Sequence, residues 1–289
     1  MLAFQHPSVA QRVGPEGRVR VIALGDVIDQ YGSYNSFTIV RFDPAIRYTP
    51  VPSRPDLVTL EVARRNLRMY MPRTYERMIN DYDVITTSDA YTTMFRPDWI
   101  EWMSRAVVDG GLGFEWLGTF ASLDEKNWWG TTLAEIAPVE PALEYTISGH
   151  FRVRIHDWDE ALMRALPWEE APATVNLNTQ IAKKGSRVWA FTDHPEGYPL
   201  MTYWRIGKGA VLNFASKFPN GVEPWARGWR YFSQAMIYMV YRIADKRLPE
   251  DPVIFEEVTR LLLEYNEIRS FLVQLLSFVE GFGGRVEGL

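Results

Sequence analysis

Apolar residues fall into short blocks along the first 120 positions, separated by polar and glycine-rich stretches. RVRVIALGD is β-branched, apolar and closed by Gly25 and Asp26, the pattern of a strand buried on both faces. A polar loop with Asp29, Tyr31, Gly32, Ser33 and Asn35 follows. IRYTPVPSR at 46–54 is a weaker strand, and its prolines suit only a sheet edge. Helical spacing runs through 56–80, interrupted at Pro72 and resuming at Arg73. YDVITTSDA at 82–90 is a second buried strand. Pro97 opens a helix over 99–108 that Asp109, Gly110 and Gly111 stop. LGFEWLG at 112–118 is the next strand. Strand, helix, strand, helix, strand at this spacing predicts a parallel sheet covered by helices on both faces.

After Leu133 the texture changes. Residues 140–198 hold short strand-like pieces and one short helix near 158–166, a β-rich insertion. YPLMTYWRIGKGAVLNFAS predicts a hairpin that turns at Ile206, Gly207, Lys208 and Gly209. An aromatic helix spans Trp225 to Ile243. A last helix over 252–279 carries a wide apolar stripe, including Leu261, Ile268, Leu272 and Leu276. Two placements fit that stripe: packing back on the domain, or contact with another copy or a protein partner. The expected organisation is an irregular leader over 1–17, an α/β domain over 18–245 and a helical extension over 246–289.

Composition narrows the function classes. The chain is 47% hydrophobic and 14% aromatic, enough for a large core. A net charge of −5 lacks the basic footprint of a nucleic-acid binder, so no nucleic acid is expected. No apolar run is long enough to span a bilayer, and no basic-then-apolar start marks a secretory signal. A cytoplasmic location is the default expectation, and an extracytoplasmic one holds if the chain belongs to a larger anchored protein. Cysteine is absent, which removes disulfides, thiolate metal ligands and any thiol nucleophile. His150 and His156 lack a carboxylate pattern for a metal, and Gly111-x-Gly113 lacks the third glycine of a dinucleotide loop. No metal and no cofactor are expected.

Three segments carry a family resemblance: YDVITTSDA; WMSRAVVDGGLGFEWLGTFAS with WWGTTLAEIAPV; and YPLMTYWRIGKGAVLNFASKF before a Trp-rich helix. In this order they resemble the glutamine amidotransferase-like group, which shares the flavodoxin-like fold of class I amidotransferases and of trehalose-utilisation-type proteins. The resemblance covers about residues 18–245. It implies a doubly wound, mostly parallel sheet whose ligand crevice lies beyond the carboxyl ends of the strands. It also implies a nucleophile on the turn after LGFEWLG, here Glu115 to Thr119, where no thiol stands. The family's His-x-Glu pair follows the late strand AVLNFAS. His194 and Glu196 have the spacing but precede the hairpin, so His194 is only a weak catalytic candidate and is read as a loop histidine.

The strand ends nominate a rim of Asp26, Ser88, Asp89, Glu115, Trp116, Ser216 and Lys217 for a small polar or sugar ligand. Their alternative role is to cap helices and hold loops. Glu115 is a carboxylate inside an apolar strand, so it must reach the crevice, as a general acid or base, or pair with an Arg. Trp116, Phe120, Trp128 and Trp129 form either an aromatic shelf or a core cluster under a loop. The first reading is a non-catalytic amidotransferase-like domain that binds a ligand or assembles with partner subunits. The alternatives are a hydrolase or carbohydrate-active enzyme using Glu115 with Asp26 or Asp89, and a structural subunit assembling through 252–279.

Overall fold

The computed structural model describes residues 17–26, 40, 43–53, 59–88, 90–118, 127–216 and 228–248. The expected leader, the loop of Asp29 to Ser36 and the helix over 252–279 lie outside the described residues. Strands β1 (Val19–Asp26) and β2 (Ile46–Pro52) lead to helices α1 (Leu60–Tyr70) and α2 (Tyr75–Asp81) and to β3 (Val84–Thr87). Helix α3 (Pro97–Val108), β4 (Gly113–Leu117) and the single turn α4 (Thr132–Glu135) follow. Then come β5 (Val139–Phe151), β6 (Val153–Ile155), α5 (Ala161–Ala165), β7 (Thr174–Ala182) and β8 (Arg187–Thr192). β9 (Pro199–Ile206), β10 (Gly209–Phe214) and α6 (Phe232–Ile243) complete the described order.

Eight strands form a mixed sheet in the order β2-β1-β3-β4-β10-β9-β8-β6. The run from β2 to β10 is parallel throughout, and β9, β8 and β6 add antiparallel pairs. β5 and β7 make a separate antiparallel pair. The β-rich segment therefore supplies both sheets: β6 and β8 widen the large one, while β5 and β7 form the small one.

Local chemistry explains the boundaries. Thr59 and Thr74 cap α1 and α2 by accepting from the amides of Val62 and Arg77. The interruption expected at Pro72 separates these helices. Pro97 sits in the first turn of α3, where its missing N–H leaves no bond unmade. Pro50 and Pro52 lie in β2, which is an edge strand, as prolines require. The β9–β10 hairpin turns through Gly207 at φ +57°, with its α-carbon tight against the Val108 carbonyl; a side chain there would be strained and would clash.

Two apolar cores cover the two sheet faces. Val19, Val21, Ala23, Val84, Leu117, Leu212 and Phe214 pack with α6. Ile22, Leu24, Ile85, Phe114, Trp116 and Val211 pack with α1, α2 and α3. The alternation along β1 and β4 follows from the two-residue period of a strand. None of the described helices is long and apolar enough to cross a membrane.

Candidate functional site

The turn after β4 is where a nucleophile would stand in the resembled family. In this chain β7 approaches Gly118, the first residue after β4, and the end of β10. The Gly118 amide donates to the Phe214 carbonyl at 2.6 Å, and the Asn178 amide donates to the Ala215 carbonyl at 2.6 Å. Leu177 bridges Ser216 in antiparallel fashion. Asn178 Oδ1 sits where a side chain on Gly118 would begin, so only glycine fits beneath this strand. Ser216 is buried: its hydroxyl donates to the Asn176 carbonyl at 2.5 Å and is also bonded to the Thr174 hydroxyl. It ties the roof to the sheet.

Behind the roof lies a buried polar band. Asn213 Nδ2 donates to Gln180 Oε1 at 2.6 Å, and Asn178 Nδ2 donates to Thr146 Oγ1 at 3.0 Å. Asn213 and Thr202 are register partners on adjacent strands, and both are fully buried. Among the described residues, Gln180 Nε2, Asn213 Oδ1, Thr179 Oγ1 and Thr202 Oγ1 have no hydrogen-bond partner.

Glu115 is fully buried, and among the described residues neither an Arg nor any other hydrogen-bond partner meets its carboxylate oxygens. Its strand neighbours Phe114 and Trp116 face the α1–α3 core, so its side chain lies on the face that α6 covers, in register with Thr86 and Leu212. Thr86 Oγ1 is unpartnered as well. Burial pushes the Glu115 carboxyl up to about 8, so it is held neutral at pH 7. A neutral acid avoids most of the penalty that an isolated buried carboxylate would carry.

Of the aromatics after β3 and β4, Trp116 and Trp128 belong to the core. Trp116 and Trp128 are buried and meet edge to face at 5.6 Å, and Trp128 Nε1 donates to the Ala90 carbonyl at 2.6 Å. Trp129 is 40% exposed, and Phe120 lies outside the described residues. Ser88 is half-buried, with its amide bonded to the Leu24 carbonyl. The Asp26 side chain, Asp89 and Lys217 lie outside the described residues. His194 organises its own turn: Nδ1 accepts from the Glu196 amide at 3.1 Å, and the ring packs on Tyr198 and Phe151. The structure thus puts Glu115 and Trp116 on opposite faces of the sheet and Ser216 under β7.

A connected charge network, not apparent from the sequence, ties the antiparallel wing to α6. Arg242 holds buried Glu160 through two hydrogen bonds, at 2.6 and 3.1 Å. It also lies over the ring of Tyr203, which stacks on Trp189 at 4.6 Å. Glu160 doubles as the N-cap of α5. Asp245 pairs with Arg205, and Arg187 pairs with Asp157 while approaching Glu160 at 3.9 Å. Its members lie far apart in the chain, so no local spacing betrays them.

Solved structures share this fold. The cytoplasmic protein STM1381 from Salmonella typhimurium LT2 matches with a TM-score of 0.61 at 18% identity, over 78% of this chain and 99% of that one. The cytoplasmic protein STM3548 from Salmonella typhimurium matches at 0.59 and 15% identity, over 78% and 98%. A ThuA-like protein from Bacteroides uniformis matches at 0.50 and 11% identity, over 82% and 94%. At these identities the likeness is one of fold alone. No family model and no curated protein matches the chain.

Proposed function

We propose that this chain is a glutamine amidotransferase-like domain that has exchanged catalysis for binding or assembly. The carrying observation is the strand that roofs the ends of β4 and β10: Asn178 of β7 presses on Gly118, and Ser216 is held beneath the same strand. A substrate approaching Gly118 from the side of β7 would have to displace a hydrogen-bonded strand. The parallel run β2-β1-β3-β4-β10 has the order of a doubly wound, flavodoxin-like sheet, which supports the family reading. The ThuA-like neighbour supports it at the level of fold. Glu115, the residue an alternative hydrolase would use, has the raised pKa of a general acid but no second polar side chain bonded to it. Assembly through residues 252–279 belongs to the same reading.

The test joins turnover to mass. The purified full chain is assayed for ammonia release from glutamine and for hydrolysis of aryl esters and aryl glycosides, alongside Glu115→Gln. No turnover above buffer is expected from either. Turnover that Glu115→Gln abolishes while its circular dichroism stays unchanged would overturn the proposal. Light scattering on the full chain and on a chain ending at residue 248 then separates assembly from ligand binding.

A further inference from the structure

A second polar locus lies at the β6 edge of the large sheet, away from Gly118 and Ser216. β8 and β10 both run antiparallel to β9, and Arg187 at the start of β8 lies level with Tyr203 and, through it, with Leu212 midway along β10. There the loop after β6 and the start of β8 enclose an open depression of about 560 Å³, lined by His156, Asp157, Trp158, Asp159, Ser186 and Arg187. We propose that this depression binds a neutral saccharide, with the Trp158 indole as its stacking platform.

Trp158 is 55% exposed, although a tryptophan has the largest apolar surface to gain by burial. Its loop is held rigidly. The amides of His156 and Asp157 both donate to the Trp189 carbonyl, at 2.9 and 3.1 Å. The Asp159 amide donates to Asp157 Oδ1 at 3.2 Å, and the Glu160 amide to the Asp157 carbonyl at 3.2 Å. Arg187 Nε donates to Asp157 Oδ2 at 3.1 Å, and the His156 ring meets Phe191 edge-on at 5.0 Å. The backbone that carries the exposed indole is held before any ligand arrives, which lowers the entropic cost of binding.

The surrounding charge selects the ligand class. Arg187 neutralises Asp157, so a cation finds one carboxylate already taken. Asp159 beside it repels a phosphate or carboxylate. The remaining capacity is mixed: acceptors on Asp157 and Asp159, donors on Arg187 and His156, and a Ser186 hydroxyl that donates to Lys183 but still accepts. A pyranose offers what this lining lacks, an apolar C–H face for the indole and several hydroxyls that both donate and accept. This site is distinct from the roofed rim, and the inference does not depend on whether the rim catalyses anything.

The experiment titrates the full-length protein with maltohexaose, cellohexaose, β-1,4-galactohexaose and xylohexaose, read by tryptophan fluorescence and calorimetry. At least one is expected to bind with Kd below about 10 mM, at least tenfold more weakly to Trp158→Ala and measurably more weakly to Asp159→Asn. Both positions are exposed at the loop tip, and circular dichroism confirms that the variants stay folded. Tetramethylammonium chloride and inorganic phosphate are run in parallel. The proposal is overturned if no hexaose binds, if Trp158→Ala binds equally well, or if tetramethylammonium or phosphate binds in a Trp158-dependent way and the hexaoses do not. Turnover is not read in this assay, so its failure leaves the reading of the rim untouched.

Discussion

Glu115 is the residue whose chemistry most exceeds its role in packing. Its carboxyl has an ordinary value of 4.5 and rises to about 8 in the folded chain because burial strips away its water. Below pH 4.5 it is protonated whether the chain is folded or not, and it favours neither state. Between pH 4.5 and 8 the unfolded chain releases the proton that the folded chain keeps. Stability is therefore lost as pH rises through that window, by about 1.4 kcal/mol per pH unit and on the order of 4–5 kcal/mol in all. Urea unfolding at pH 5, 6.5 and 8 should show this slope in the native chain and a much flatter one in Glu115→Gln. Equal slopes would show that another group is responsible. The anomaly was legible in the sequence, since a carboxylate inside GFEWL demands an explanation. That it is fully buried with no partner among the described residues was not, because partners come from strands and helices distant in the chain.

At the scale of elements, α1, α2, α3 and the hairpin were legible because their signals are local, whereas the helix expected from Trp225 is described only over Phe232–Ile243. Thr59, Thr74 and Pro97 mark helix starts, and Gly207 marks a turn. β7 is the opposite case. In TVNLNTQIA the polar Asn176, Asn178 and Gln180 share one face of the strand. The structure buries Asn178 and Gln180 and leaves Ile181 60% exposed, because β7 turns its amides toward the rim of the large sheet. Pairing across 33 residues, as between Gln180 and Asn213, has no local trace. The roof and the polar band behind it thus stayed hidden, along with the fate of Ser216. Gln180→Ala strands the Asn213 amide in a buried site and should lower stability by roughly 1–3 kcal/mol. Adding Asn213→Ala should cost less than the sum of the two single changes, because the stranded group is then gone. Additive losses in a denaturant double-mutant cycle would mean that the two amides are not coupled.

The whole molecule joins a parallel half, whose layout follows from alternating strands and helices, to an antiparallel wing held by other means. Trp189, Tyr203 and Arg242 stack in sequence between β8, β9 and α6, and Glu160 anchors the guanidinium from the start of α5. Glu160 is almost fully buried, so the ion pair matters chiefly through what its loss would leave behind. Replacing Arg242 with Met keeps most of the side-chain volume yet leaves the buried Glu160 carboxylate with only Arg187, at 3.9 Å, as a nearby cation, a change of up to about 3–5 kcal/mol. Arg242→Met should therefore destabilise strongly. Arg242→Met with Glu160→Gln should recover much of the loss, since the uncompensated charge is gone while the stacked rings remain. The two variants also report on how the halves are coupled. If the network fastens the wing to the body, Arg242→Met will raise amide exchange in β8 and β9 as well as in α6, and the double variant will lower it again. Exchange that rises in α6 alone would show that the wing is held by its strand pairing with β10, with the charges riding on a joint already made.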